Sequence, residues 1–539
     1  MGIRCKHLLG GNISFEHEDL RGNASEDEAS GNEGDDADRN RTIHTVITTP
    51  ESSSDEEDHV SDDEGGDNLV FDGSLDFPLD IVNYCTMKDS LILDLALLVR
   101  HHLSYEALIQ IKYFVTVSLR KQLQTFLNTP GAAELLSYRG NNNQRNNTIC
   151  DIFDGREYKR LQNGITSSND FTLTLNVDAC KMSMASKLKI TPVFLRLNEI
   201  NPQLRKKIMF LALFVDLKEP NMNSHFKAIV PLLNDLSKRG ISWNRSGSIV
   251  KSRFFTICFC VDAKARAQLL NMNSHLGHYG CTYCTINGVR IADAMRYSAN
   301  ANPPFEDRSH AEMKLDMEQA DRSGINERGH KGLTVLADIE HLDLAVGNAV
   351  DDLHNIYECC VPAHMNLILK ATPRLDERMG YELMCTIIDD RMKKIKTPES
   401  VSRKPGVTSI LNRGSYKGNE WSNFIKYYAV PCLQYLIHQK YIYPLELLSS
   451  FAFILSQDKI TEEDLLRSER IISEYLIRFE ELYGIARTRL NMHALVHAPK
   501  CVRNLGPCWV VGYIALSTLK AGMPRFSGMF PLLKAFSSR

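Results

Sequence analysis

Two stretches decide how this chain folds: residues 171–178, FTLTLNVD, and residues 254–262, FFTICFCVD. In the first, Phe171, Leu173, Leu175 and Val177 alternate with polar residues, the two-residue period of a β-strand, and the run stops at Asp178. The second is an apolar strand that stops at Asp262. Between them lie two further predicted strands, Ile208–Val215 (IMFLALFV) and, before it, Pro192–Leu197 (PVFLRL). Residues His225–Arg239 then show helical periodicity up to Gly240.

The order is strand, strand, strand, helix, strand. In a ribonuclease H-like (retroviral integrase-like) mixed α/β sheet the first and fourth strands are neighbours, so Asp178 and Asp262 are expected together at one edge. Two adjacent carboxylates repel unless a cation holds them, and Mg²⁺ favours carboxylates, waters and phosphate oxygens. Two such ions stabilise the attacking and leaving oxygens of a phosphodiester displacement. A single strand-end aspartate is more often a plain cap; it is the pair in this topology that points to metal.

Outward from these strands, the charge is uneven. The 539 residues carry a formal net charge of -3, but residues 1–80 hold 22 acidic and 5 basic side chains. The rest therefore carries a net +14, a basic body that suits a polyanionic partner. The tail, with ESSSDEEDHVSDDEGGD at 51–67, has too few apolar groups to offset ordering entropy and is expected to be disordered. A small helical domain is expected at 85–127, then a loop-rich linker, the first part of the core at 150–284, a helical insertion at 285–485 that includes Tyr427–Lys440 and Glu462–Tyr483, and a C-terminal helical part at 486–539. The longest apolar runs fall far short of the roughly 20 residues that cross a bilayer, so no membrane is expected. Fourteen unevenly spaced cysteines fit a reducing compartment.

Two further motifs carry chemistry. Cys281-Thr-Tyr-Cys284 offers two thiolates at the spacing of a tetrahedral Zn²⁺ site, and the best candidates for the other ligands are His493 and His497 in NMHALVHAPK. Together they would staple the two ends of the insertion. Asp351-Asp352-Leu353-His354 by itself reads as a helix start with an acidic first turn.

These blocks together resemble the CACTA-like DDE transposases of animal genomes, within the wider group that shares a catalytic core with the V(D)J recombinase. The likeness is carried by DIFDGREYKRL (151–161), TLTLNVDACKMSMASK (172–187) with FLRLNEI (194–200), KEPNMNSHFKAIVPLLNDL (218–236), CVDAKARAQLLNMNSHLGHYGCTYC (260–284) and NMHALVHAPKCVRNLGPCW (491–509), in that order. DDLH (351–354) is similar to the family's DxxH element, and NEWSNFIKYYAVPCL (419–433) to a helical stretch. The resemblance implies Asp178 and Asp262 as the first two catalytic carboxylates with Mg²⁺ or Mn²⁺, structural Zn²⁺ on Cys281, Cys284, His493 and His497, and Asp351 and His354 as a supporting or DNA-contacting element. It also implies double-stranded DNA as partner, terminal inverted repeats among it, a homodimer as a candidate assembly, and a nuclear location. The chemistry implied is hydrolysis of a phosphodiester at the element end and attack of the 3′-hydroxyl on target DNA.

The sequence departs from the family where the third metal ligand, a glutamate, is expected. Here the chain reads GPCWVVGYIALSTLKAGMPRFSG and the position holds Ser517, and it diverges from the family's helical continuation after about 514. Residues 482–539 contain eight basic residues and no carboxylate. A serine hydroxyl is a weak, neutral ligand, so phosphoryl transfer is expected to fall by several orders of magnitude. Three readings follow: a transposase-derived, DNA-binding protein impaired in catalysis; an active transposase whose third carboxylate comes from elsewhere, such as Asp351 or Asp352; and a non-enzymatic interaction protein that keeps the fold.

Overall fold

The computed structural model describes residues 113–116, 118–139, 148–177, 180–181, 189–205, 208, 210–216, 222–301, 304–397, 401 and 408–512. The acidic tail, most of the expected helical domain, Asp178 and Ser517 lie outside the described residues. What is described is mixed α/β. The strands of the central sheet are β1 (Tyr113–Thr116), β2 (Phe171–Val177), β3 (Lys189–Leu197), β4 (Phe210–Asp216) and β5 (Phe254–Val261). The principal helices are α1 (Leu119–Leu127), α2 (Arg156–Gln162), α3 (Met222–Arg239), α4 (Ala263–Leu269), α5 (His310–Ser323), α6 (Val361–Ala371), α7 (Tyr381–Lys394), α8 (Gln439–Leu455), α9 (Glu462–Tyr483) and α10 (Ala498–Leu505).

The strands lie in the order β1-β4-β3-β2-β5, and the short strand Cys180–Lys181 also pairs with β3. β4, β3 and β2 are successively antiparallel, whereas β5 runs parallel to β2 from Phe171 beside Phe254 to Val177 beside Val261. Beyond β5, residues 347–349 continue the ladder: the Phe259 N–H donates to the Gly347 carbonyl and the Ala349 N–H to the Phe259 carbonyl, both at 2.9 Å. That segment becomes important for the site.

The described part of 85–127 is not the expected helical domain. Tyr113–Thr116 is an edge strand antiparallel to β4. The aromatic and β-branched run YFVT suits a pleated edge. α1, capped by the Ser118 hydroxyl, buries Leu119, Leu123, Phe126 and Leu127 in the core beneath the sheet. The stretch expected as linker likewise contains the helical turn Ala132–Leu135 and a buried Leu136.

The apolar residues of β2 share this core with α3, as their alternation requires. α3 stops where predicted because Gly240 has φ +58°, and a Cβ there would meet the Ser252 carbonyl oxygen at 2.4 Å. The polar face of β2 is buried too, since the helical region covers it. Buried polar groups need partners. The Thr172 N–H donates to the Glu199 carboxylate at 3.0 Å, the Thr174 hydroxyl to Asn198 Oδ1 at 2.8 Å, and Asn176 Nδ2 to the Cys260 carbonyl at 3.0 Å.

A second apolar core runs without interruption from Phe255, Ile257 and Cys260 of β5 through α2 and α6 to α10. The described part of 285–485 is largely helical, with a hairpin of Val289–Ile291 with Ala294–Arg296 and a short strand Ile460–Thr461 against Thr148–Ile149, and it belongs to the same compact unit as the sheet. α9 has the predicted limits because Thr461 and Asp464 form a reciprocal N-terminal cap. The expected helix Tyr427–Lys440 is broken instead: Ala429–Leu433 ends before Tyr435, whose φ of +64° is left-handed, and α8 begins only at Gln439.

The block DIFDG earns its place by an ion pair. Asp151 and Arg205 are both fully buried, with Nη1–Oδ1 at 2.9 Å and Nη2–Oδ2 at 3.2 Å. Gly506, at φ +91°, passes so close that a Cβ would sit 2.6 Å from the Asp151 carbonyl oxygen. Removing one partner of a buried pair leaves an uncompensated charge, so Asp151→Ala is expected to lower stability by about 3–5 kcal/mol in denaturant unfolding. A loss under about 1 kcal/mol would show that the pair contributes nothing specific.

Candidate functional site

The four predicted zinc ligands converge. Cys281 and Cys284 lie in the loop after α4, and Cys284 forms an isolated β-bridge with Asp307. His493 ends the turn Leu490–His493 and His497 ends the 3₁₀ turn Ala494–His497, which leads into α10. The pair therefore does not lie on one continuous α-helix, although i, i+4 spacing would allow it. The tighter turn still brings the two Nε2 atoms to 3.3 Å.

Cys284 Sγ lies 3.2 Å from His493 Nε2 and Cys281 Sγ lies 3.6 Å from His497 Nε2, and all four donor atoms fall within 4.8 Å of one another. A tetrahedron with metal–ligand bonds of about 2.0–2.3 Å has edges of roughly 3.3–3.8 Å. Two thiols and two imidazoles at these separations, all buried, fit an ion such as Zn²⁺. The surroundings fix the ligands. Asp307 Oδ1 stands 3.6 Å from His497 Nδ1, and the His497 contact, helped by Lys500 at 2.7 Å, holds Asp307 down to about 2. The Tyr283 ring stacks on His497 at 5.1 Å and Phe305 meets His493 edge-on at 5.0 Å. Burial pushes the Cys281 thiol up, but the Cys284 hydrogen bond and the two imidazoles outweigh it and favour the thiolate. Asp307 carries no local sequence signal; only its approach to His497 reveals it.

The second group of residues gathers at the carboxyl end of β5. Asp262 follows β5 directly and caps α4, its Oδ1 accepting from the Ala265 N–H at 2.7 Å. Val177, the residue before Asp178, is level with Val261, the residue before Asp262. The 347–349 ladder delivers Asp351 to this end of the sheet. Asp351 is buried, its Oδ2 lies 2.5 Å from His354 Nδ1, and its Oδ1 accepts from the His354 N–H at 3.2 Å. Burial lowers the His354 imidazole, but Asp351 overrides it, and Glu358 and Asp262 add to the effect, holding the group up at about 9. Asp262, Asp351, His354 and Glu358 thus share one electrostatic neighbourhood. The DDLH motif starts a helix as expected, π-helical over Leu353–Cys360 and continuous with α6, and its link to Asp262 is tertiary.

No family model matches the chain, and no curated protein matches it either.

Two outcomes test this geometry. Cys281→Ser is expected to lose bound zinc, read by elemental analysis, and to lower the melting temperature by more than about 5 °C; wild-type protein purified without zinc would remove the assignment. In chelator-treated protein, His354 has a folded pKa raised above its reference of 6.5. Its contribution to stability is therefore full below about pH 6.5 and lost as pH rises through about 9. His354→Gln should abolish that part of the stability–pH curve, and an imidazole NMR midpoint near 6.5 in the wild type would contradict it.

Proposed function

We propose that this chain is a transposase-derived, double-stranded-DNA-binding protein built on a ribonuclease H-like core and impaired in catalysis by Ser517 at the third acidic position. The observation that carries this reading is the strand arrangement. Counted from Phe171, the four long strands lie in the order 3-2-1-4, with the fourth parallel to the first and Val177 level with Val261. Val177 and Val261, the residues that precede Asp178 and Asp262 in the sequence, are thus at the same end of adjacent strands. The Cys2His2 cluster supports the same reading, because it ties the two ends of the helical insertion together where the family resemblance expects zinc.

Mg²⁺ or Mn²⁺ would be held by Asp178 and Asp262 and would supply charge stabilisation for phosphoryl transfer. Asp262 Oδ1 accepts from the Ala265 N–H, which leaves its Oδ2 to an ion. The competing reading, an active transposase, draws on Asp351 and Asp352, since Asp351 reaches the same end of the sheet as Asp262. A nuclear location follows from the DNA-binding role.

The full-length protein with labelled terminal-inverted-repeat duplex and Mg²⁺ or Mn²⁺ separates the readings. Salt-dependent binding without nicking is the expected result. Nicking that Asp262→Ala removes would establish the active enzyme instead. Failure to bind at about 100 mM salt would sink both and leave a non-enzymatic interaction protein.

A further inference from the structure

Between α3 and β5 the chain makes a detour that the sheet does not need. Ile241–Arg245 and Ser248–Ser252 pair antiparallel, joined by Ser246 and Gly247, both at positive φ (+52° and +93°). Two consecutive residues of that kind are what a tight hairpin turn demands. The inner side chains anchor this ribbon. Ile241, Trp243 and Ser252 are buried, the Trp243 indole N–H donates to the Ser252 hydroxyl at 2.9 Å, and the Trp243 ring lies 6.4 Å from Phe171.

The outer face has a different character. Register places Ser242 opposite Lys251 and Asn244 opposite Ile249, and all four side chains are exposed. Ile249 is 80% exposed, which folding does not explain. Asn244 Oδ1 accepts from the Gly247 N–H in the turn, which leaves its amide NH₂ as a donor. From Ser237 to Arg253 the chain has five basic residues, Lys238, Arg239, Arg245, Lys251 and Arg253, and no acid.

A two-stranded ribbon is one of the two shapes that enter the DNA major groove, and amide, hydroxyl, ammonium and apolar groups are those that meet base edges and the thymine methyl there. We propose that the hairpin 241–252 is a second DNA-contacting element, at the opposite end of β5 from Asp262, with Ser242, Asn244, Ile249 and Lys251 as its contact face. Charge complementarity selects the partner: Lys238, Arg239 and Arg253 are paired with Glu340, Asp235 and Asp170, but the ribbon's own cations, Arg245 and Lys251, have no carboxylate partner among the described residues, and duplex DNA is a polyanion. The inference rests on the DNA-binding reading above but concerns a surface remote from the carboxylates.

The test uses the full-length protein and a fluorescently labelled random-sequence duplex, titrated at several salt concentrations. Ile249→Ala combined with Lys251→Ala is expected to weaken binding about tenfold and to make the slope of log K against log salt shallower by about one. Ser242→Arg, which adds a cation to the same face, is expected to tighten binding, a gain that a folding defect cannot mimic. If wild type fails to bind, the DNA reading itself falls. If wild type binds and both variants match it in affinity and slope, the hairpin inference alone is overturned.

Discussion

Everything downstream of β5 depends on one constraint: Cys281 and His497, 216 residues apart in sequence, must meet at 3.6 Å. Closing so long a loop costs on the order of 4–5 kcal/mol in chain entropy before any contact returns it. An apolar core that runs from β5 to α10 supplies much of the compensation, and a metal ion on four ligands would supply the rest at a single point. Asp307, Tyr283 and Phe305 make sense in that light. They are brought in from different segments to hold imidazole rings in place, as the outer shell of a structural metal centre does.

The face of the sheet beneath the helical region answers a second demand. Alternation in β2 puts Thr172, Thr174 and Asn176 on a side that the fold buries, so polarity has to be satisfied internally. Glu199, Asn198 and the Cys260 carbonyl do so for every group but Asn176 Oδ1. Arg205 is neutralised by Asp151, whereas Arg196, also fully buried, finds only main-chain carbonyls among the described residues: its Nη2 donates to Val511 at 2.8 Å. Burial, with Arg205 adding, pushes Arg196 down to about 10. A buried cation bound to main-chain oxygen ties the segment at 511–512 to β3. The last described residues are therefore anchored on the sheet.

How much of this was legible in the sequence follows from what kind of interaction decided each element. β2 with its clean period, β5 with its continuous apolar run, and helices with a cap, α3 at Gly240 and α9 at Thr461, were readable because the deciding interactions are local. The Cys2His2 set was readable because thiols and imidazoles in such spacing have few other uses. The strand Tyr113–Thr116 was not, since four residues fit either period and only the unpaired edge of β4 makes them a strand. The break before Tyr435 needed knowledge of a left-handed residue that no glycine announces. Asp351 and His354 were visible as a motif but not as neighbours of Asp262, because the 347–349 ladder that carries them there is a pairing of backbone, not of side-chain types.

That ladder also changes how the carboxylate end of the sheet should be understood. A set of converging acids normally demands a cation. Here Asp351 is already paired with an imidazole that it keeps protonated, and that positive charge acts on Asp262 as well. Asp262 in turn gives one oxygen to a helix N-terminus, itself a partial positive charge. The imidazolium and the helix end thus offset only part of the negative charge of Asp262, Asp351 and Glu358, and the remainder is what a cation bound at this end of the sheet would meet.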